Sequence, residues 1–310
     1  MPMRDRTGLD TEALLLLWAA RETGVLDALL SSAGTAAEVA AETDVTREAA
    51  ETAVQALADL GFVERVRDGY EPTNRAIGLL AKRDVRSVGA LPHALDELDL
   101  LVDLPETMET GVPPEPPDDW SVNRLGAHAA TDDAAVRSAV TAAVHAAPEA
   151  DRVLDVCGGS GVYAAEFADR GYDVTMLDDA ETVDRVEPML RSRGVRLHPG
   201  HPADLDGPYG LAFAGGMLSR VDPAEARSVL SGVADALVDD GTVVLVDTVA
   251  DGSDAAVAAS VCGLAAGHGG ASDSDEIRSW LRDAGFADVS VDAVPGTERH
   301  AAVGHKRTVD

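Results

Sequence analysis

The densest concentration of residues able to do chemistry lies near the centre of the chain. There the apolar pair Val153-Leu154 leads through Asp155-Val156-Cys157-Gly158-Gly159-Ser160-Gly161 into a stretch of helical periodicity. Glycines between a buried strand and a helix let backbone approach a ligand, and the loop after the first strand of an open α/β sheet is where such sheets bind. The dinucleotide fingerprint needs a third glycine where Ala164 stands, so a pyrophosphate is not the favoured ligand. A carboxylate at Asp155 would repel a diphosphate and attract an ammonium. The loop therefore suits a zwitterionic, amino-acid-like ligand. About 20 residues on, Asp178-Asp179 closes the next apolar run, where a carboxylate can accept both hydroxyls of a ribose. An aspartate here could equally cap a helix starting near Glu181.

The elements that would position these residues follow from periodicity. From Glu12 to Leu30 apolar residues recur at helical spacing, with a break at Gly24. Thr35, with Glu38 three residues on, has the form of a capping box for a helix to Ala41, and Thr46 precedes a helix over 47–60 that Gly61 stops. Phe62 to Val66, an Asp68-Gly69 turn and Tyr70 to Pro72 alternate like a hairpin. Three helices and a hairpin in this order predict a winged helix. Residues 85–104 read as helix, 111–117 as a Pro-rich loop, and 132–146 as a further helix. From Arg152 onward short β-rich runs alternate with helical ones, which predicts parallel βαβ units. The last two strands, Phe286 to Val291 and Ala301 to Gly304, have no helix between them and should form an antiparallel hairpin at one edge.

The combination is similar to the S-adenosylmethionine-dependent small-molecule O-methyltransferases. The resemblance rests on 155–161 with Asp178, Gly200-His201, the 218–223 segment Leu-Ser-Arg-Val-Asp-Pro, and Asp283-Ala284-Gly285-Phe286. The winged-helix start and the segment from Leu104 to Gly111 extend it over nearly the whole chain. It implies a doubly wound, seven-stranded Rossmann-like methyltransferase sheet behind a mainly helical winged-helix domain. Residues 1–84 would be the dimerisation domain, 85–150 a helical linker and roof of the acceptor pocket, and 151–310 the cofactor-binding domain. The cofactor would be S-adenosylmethionine, held by Asp155, Cys157, Gly158, Gly159, Gly161, Asp178, Asp179, His201, Gly215 and Gly216. His201 stands where the family has the acid that contacts adenine, with Asp204 nearby as a substitute.

The family's general-base histidine falls at Ser219, and its acidic supporters fall at Asp247 and near Ser272. A serine beside Arg220 cannot take a phenol proton at neutral pH. Losing a general base removes about 10² to 10⁴ in rate, whereas positioning supplies effective molarities of ~10⁵ M or more. Transfer can then persist on proximity, best with an acidic hydroxyl. Of eight histidines, His268 in Gly267-His268-Gly269-Gly270 matches the family's pocket edge and is either a substitute base or a solvated loop residue. His93 is a second candidate; His145 and His300 read as surface or packing residues. The catalytic set expected is therefore His268, Ser219 and Asp247, with no metal, since no histidine pair has zinc spacing.

Composition bounds the partners. With 310 residues there is chain for about two domains. Against 25 basic residues stand 55 acidic ones, a formal charge of −30, and the only lysines are Lys82 and Lys306. Such a field disfavours nucleic acids and anionic membranes and suits solubility in concentrated salt. The would-be recognition helix carries Arg47 against Glu48, Glu51 and Asp59, so the winged helix is expected to pack or dimerise. Two cysteines, Cys157 and Cys262, are too few for a disulfide framework. Met1 to Asp10 lacks an apolar signal core, and no apolar run approaches the ~20 residues of a membrane span. A cytoplasmic homodimer acting on a small-molecule methyl acceptor is the expectation. The alternative is a non-catalytic S-adenosylmethionine-binding or winged-helix regulatory protein. A nicotinamide-dependent oxidoreductase is weaker, because the glycine spacing is wrong.

Overall fold

A computed structural model describes residues 8–80, 85–205, 207–268 and 270–307; Lys82, Gly269 and Met1 to Thr7 of the charged N-terminal segment lie outside them. The chain divides into two compact units, one comprising Met1–Val102 and Pro116–Ala127, the other Asp103–Glu115 and His128–Asp310.

The first unit begins with α1 (Thr11–Glu22), α2 (Val25–Ser31), α3 (Ala36–Glu42) and α4 (Arg47–Asp59), followed by β1 (Val63–Val66) and β2 (Gly69–Pro72). Gly24, at φ 73°, makes the expected break between α1 and α2. Thr35 and Thr46 cap their helices by accepting from the N–H groups of Glu38 and Ala49. The hairpin turn sits one residue earlier than the Asp68-Gly69 expectation: Gly69 pairs with Val66, and Arg67-Asp68 form the loop. Gly69 is needed for packing instead, since a Cβ there would lie 2.6 Å from the Gly34 carbonyl. Leu14, Leu17, Val54, Leu57 and Phe62 are fully buried at the centre of this unit.

Beyond α5 (Asn74–Leu80), which periodicity did not reveal, the expected helix over 85–104 is interrupted. Gly89, at φ 71°, separates α6 (Val85–Val88) from α7 (Leu91–Val102), and α8 (Leu104–Thr110) starts anew in the second unit. Another helix that the Pro-rich segment obscured is α9 (Trp120–Ala129). Asp96 of α7 is buried and bonded to both Arg21 (2.9 Å) and Asn123 (2.8 Å), which satisfies a charge that burial would otherwise make costly.

The second unit is a seven-stranded sheet in the order β5-β4-β3-β6-β7-β9-β8. Its strands are β3 (Arg152–Val156), β4 (Asp173–Asp178), β5 (Arg196–Pro199), β6 (Tyr209–Gly215), β7 (Leu237–Asp247), β8 (Phe286–Ala293) and β9 (His300–Lys306). The first five are parallel, and β8–β9 form the antiparallel edge hairpin. The helices are α10 (Asp133–Ala146), α11 (Val162–Asp169), α12 (Ala180–Leu190), α13 (Pro223–Ala236), α14 (Asp254–Ala265) and α15 (Ser274–Asp283). Strand alternation sorts side chains between two layers. Leu154, Val156, Ala212, Ala214, Val243 and Leu245 join Leu230, Val233, Trp280 and Leu281 of α13 and α15. On the other parity, Phe213 stacks with Tyr163 and Phe167 of α11, its ring centroids 5.1 and 5.3 Å from theirs. The doubly wound Rossmann-like methyltransferase fold is thus in place. The chain leaves β3 toward β4 and β5, then crosses to β6 and β7, so the topological switch point lies between the carboxyl ends of β3 and β6, the crevice where open sheets bind ligands.

Candidate functional site

The glycine loop caps the end of β3. Gly159 and Gly161 adopt φ 58° and 75°, and Cys157 between strand and glycines takes φ 52°, a region L-residues enter at a cost of about 1–2 kcal/mol. The glycines are dictated by close protein packing: a Cβ on Gly158 would strike Met176, on Gly159 His128, on Gly161 Leu190 and on Gly215 Tyr163. Only at Gly216, of these five, is the space beyond the Cα open.

Gly161 serves as the N-cap of α11 without a side chain to offer. Asp155 takes that role from the neighbouring strand, its Oδ2 accepting from Ala164 N–H at 3.1 Å. The carboxyl is fully buried, and its Oδ1 has no hydrogen-bond partner among the described residues. Burial, followed by the nearby charge of Asp178, raises its pKa to about 8. Burial likewise pushes the Cys157 thiol up to about 12.

Asp178, at the end of β4, reaches back to the same loop. Its Oδ2 accepts from Gly159 N–H at 2.8 Å and its Oδ1 from Asp179 N–H at 2.9 Å, which leaves a second lone pair on each oxygen. Burial raises its pKa, opposed by those two backbone donors and by Arg220. Asp179 is the cap of α12: its two oxygens take the backbone N–H and hydroxyl of Thr182. Asp179 thus follows the helix-cap reading, whereas Asp178 is bonded to the glycine loop. His201 caps the short turn Pro202–Asp204, with Nδ1 accepting from Ala203 N–H and its own N–H bonded to Asp204. Its ring also borders Gly232 of α13, where a Cβ would come 3.1 Å from Cε1.

After β6 the chain is clamped by Asp247. This buried carboxylate, at the end of β7, accepts from Leu218 N–H (2.7 Å), Ser219 N–H (3.3 Å) and Thr248 N–H (2.8 Å). The Ser219 hydroxyl donates to Gly216 O at 3.4 Å. Asp247 and Ser219 are therefore brought together, but through backbone bonds that set the loop. His268 is exposed and lines a cavity of about 170 Å³ with Leu218, Val221, Ser272, Glu276 and Trp280. His93 lies in the first unit, buried against Trp120 and 3.7 Å from Glu97; His145 is exposed, and His300 lies 3.9 Å from Asp251.

Two residues escaped sequence reasoning. His128 sits on the glycine loop: its Nδ1 accepts from Ser160 N–H at 3.0 Å and lies 2.9 Å from Ser160 Oγ, with its ring 5.6 Å from that of Tyr163. A nitrogen that accepts from a backbone N–H is unprotonated, so this geometry selects the Nε2–H tautomer. No spacing rule joins His128 to Ser160 across 32 positions. The other is Arg220, whose guanidinium spans the carbonyls of Cys157, Gly215 and Gly216. Among the described residues no group of His, Cys, Asp or Glu could hold a metal ion, and no helix is long and apolar enough to cross a membrane.

A family model described as a methyltransferase domain matches residues 128–291, more than half of the chain. No curated protein matches it. Among solved structures, PigF with SAH is similar at 20% identity and a TM-score of 0.72, covering 94% of this chain and 96% of that one. Human N-acetylserotonin methyltransferase in complex with SAM is similar at 19% identity and a TM-score of 0.64, covering 96% and 94%. The mitomycin 7-O-methyltransferase MmcR gives 16% identity and a TM-score of 0.65, covering 95% and 94%. At these identities the likeness is one of fold.

Proposed function

The chain belongs to the methyltransferase-domain family, and from that premise we propose that it moves a methyl group from S-adenosylmethionine to a hydroxyl of a small molecule. The observation that carries the reading is the Asp178 carboxylate bonded to Gly159 N–H, beside the switch point of the sheet. A carboxylate so fixed has lone pairs for both ribose hydroxyls, and solved proteins of similar fold hold SAH or SAM. The unpartnered Asp155 Oδ1 and the open space at Gly216 fit the amino-acid end of such a cofactor. Cys157, Gly158, Gly159 and Gly161 would line it from β3, and Gly215 from β6, with Asp179 and His201 fixing the neighbouring loops.

When bound, S-adenosylmethionine supplies an electrophilic methyl on a sulfonium; the chain's own residues have to orient the acceptor and dispose of its proton. Ser219 donates its hydroxyl proton to a carbonyl, and Asp247 is committed to three backbone donors, so neither is a base. His268 is the proposed proton acceptor, on the wall of the cavity it shares with Leu218. Orientation supplies most of the acceleration, and an acidic hydroxyl is the preferred acceptor. Residues 1–84 are proposed as a winged-helix dimerisation domain, with no nucleic-acid partner because Arg47 on α4 is paired with Glu51. The acidic composition suits a salt-rich cytoplasm.

Calorimetry in molar salt tests the cofactor. S-adenosylmethionine and S-adenosylhomocysteine should both bind, and Asp178→Asn should weaken each by about tenfold or more, the worth of a charge-assisted hydrogen bond. Folded wild-type protein that binds neither would refute the reading. The alternative of a non-catalytic binding protein is motivated by the committed side chains of Ser219 and Asp247; binding without turnover over a broad panel of acidic hydroxyl acceptors would favour it.

A further inference from the structure

Arg220 is a cation lodged among backbone carbonyls at the switch point. Its Nε donates to Gly216 O at 2.6 Å, and its Nη2 to Cys157 O at 3.1 Å and Gly215 O at 3.5 Å. Those carbonyls follow β3 on one side and end β6 on the other, so the guanidinium spans the crevice between the two parallel strands. Nη1 makes no hydrogen bond among the described residues, and no described carboxylate forms an ion pair with Arg220. The side chain is half-buried, and its charge acts on Asp155, Cys157 and Asp178, the groups that surround the glycine loop.

We propose that Arg220 is the site for the α-carboxylate of the cofactor's amino-acid end, with Nη1 as the donor left free by the three carbonyl bonds. The inference rests on the S-adenosylmethionine reading above and deepens it. A carboxylate fits better than a phosphate, because the nearby Asp178 carboxylate makes the crevice hostile to a polyanion yet tolerant of a zwitterion whose ammonium faces it. The planar fork of a guanidinium, fixed through Nε and Nη2, presents Nη1 in one orientation without further loss of side-chain freedom. The chain thereby places a pre-oriented cation one residue from Ser219.

Ligand truncation tests this on wild-type protein without any risk of misfolding. By calorimetry, S-adenosylhomocysteine should bind about 10- to 100-fold more tightly than its decarboxylated analogue, the range expected of a charge-assisted hydrogen bond. Arg220→Ala should erase that preference while leaving affinity for 5′-methylthioadenosine, which lacks the whole amino-acid end, within about twofold of wild type. Arg220→Lys keeps the charge without the fork and should restore part of the preference. An Arg220→Ala protein that still discriminates against the decarboxylated analogue, or that weakens all three ligands equally, overturns the proposal and leaves Arg220 as a loop tether. Wild type that binds none of them removes the cofactor reading, and this proposal with it.

Discussion

Asp155→Asn isolates the energetic consequence of burying a carboxyl in the glycine loop. In the folded chain Asp155 is fully buried and its pKa stands at about 8, raised from an ordinary value of 3.8 mainly by burial and then by Asp178. Below about pH 4 both folded and unfolded chains hold this proton. Between there and about pH 8 the unfolded chain releases it while the folded chain retains it, so stability must fall as pH rises through that window and level off above it. One proton is worth about 1.4 kcal/mol per pH unit, or about 3 kcal/mol between pH 5 and pH 7. Asparagine mimics the neutral acid: its carbonyl oxygen can still accept from Ala164 N–H, and it does not titrate. Urea unfolding in molar salt at pH 5, 6, 7 and 8 should therefore show the wild type losing stability more steeply than the variant. The difference should approach one proton's worth per unit, with the variant the more stable at pH 7. Parallel pH profiles would refute the argument, because they would mean that Asp155 is ionised in the folded state and its burial relieved by water or local opening.

Cys157, with its thiol pushed up to about 12, should resist iodoacetamide in native protein at pH 8 and react on unfolding, as read by mass spectrometry of the two cysteine peptides. Gly161→Ala should cost about 2–4 kcal/mol in a urea titration, from the left-handed backbone at φ 75° together with a clash against Leu190; a loss under about 0.5 kcal/mol would show that Leu190 yields freely. Melting temperature should rise steadily from 0.1 to about 2 M salt as the charge of −30 is screened, and a flat response would remove the salt-adaptation reading. Under turnover with an acidic hydroxyl acceptor, His268→Gln should lower kcat by about 10²- to 10⁴-fold if His268 takes the proton; an unchanged kcat assigns it to solvent.

The sequence alone determined what depends on neighbours along the chain. The alternation of β-rich and helical runs after Arg152, the Gly24 break, the threonine caps at Thr35 and Thr46 and the terminal hairpin are all local patterns, and each stands in the structure. Where local signals conflict, periodicity fails. Helix α14 went unseen because apolar residues surround it, with Val257, Val261 and Leu264 exposed while Ala256 and Ala265 are buried. Gly69 looked like a turn residue, yet it is a glycine because the Gly34 carbonyl leaves no room for a Cβ. The candidate site divides the same way. Its glycines and Asp178 were legible as a motif on a strand–loop–helix unit, but their partners were not. Only tertiary structure decided that Asp155 is a buried helix cap, that Asp247 accepts from Leu218 and Ser219 N–H in the loop after β6, and that Asp179 caps a helix while Asp178 reaches Gly159. It alone brought His128 to Ser160 and Arg220 to Cys157, across 32 and 63 positions. Hydrogen-bond partners and burial depend on which strand ends lie side by side, and a parallel sheet pairs strands that are far apart in sequence.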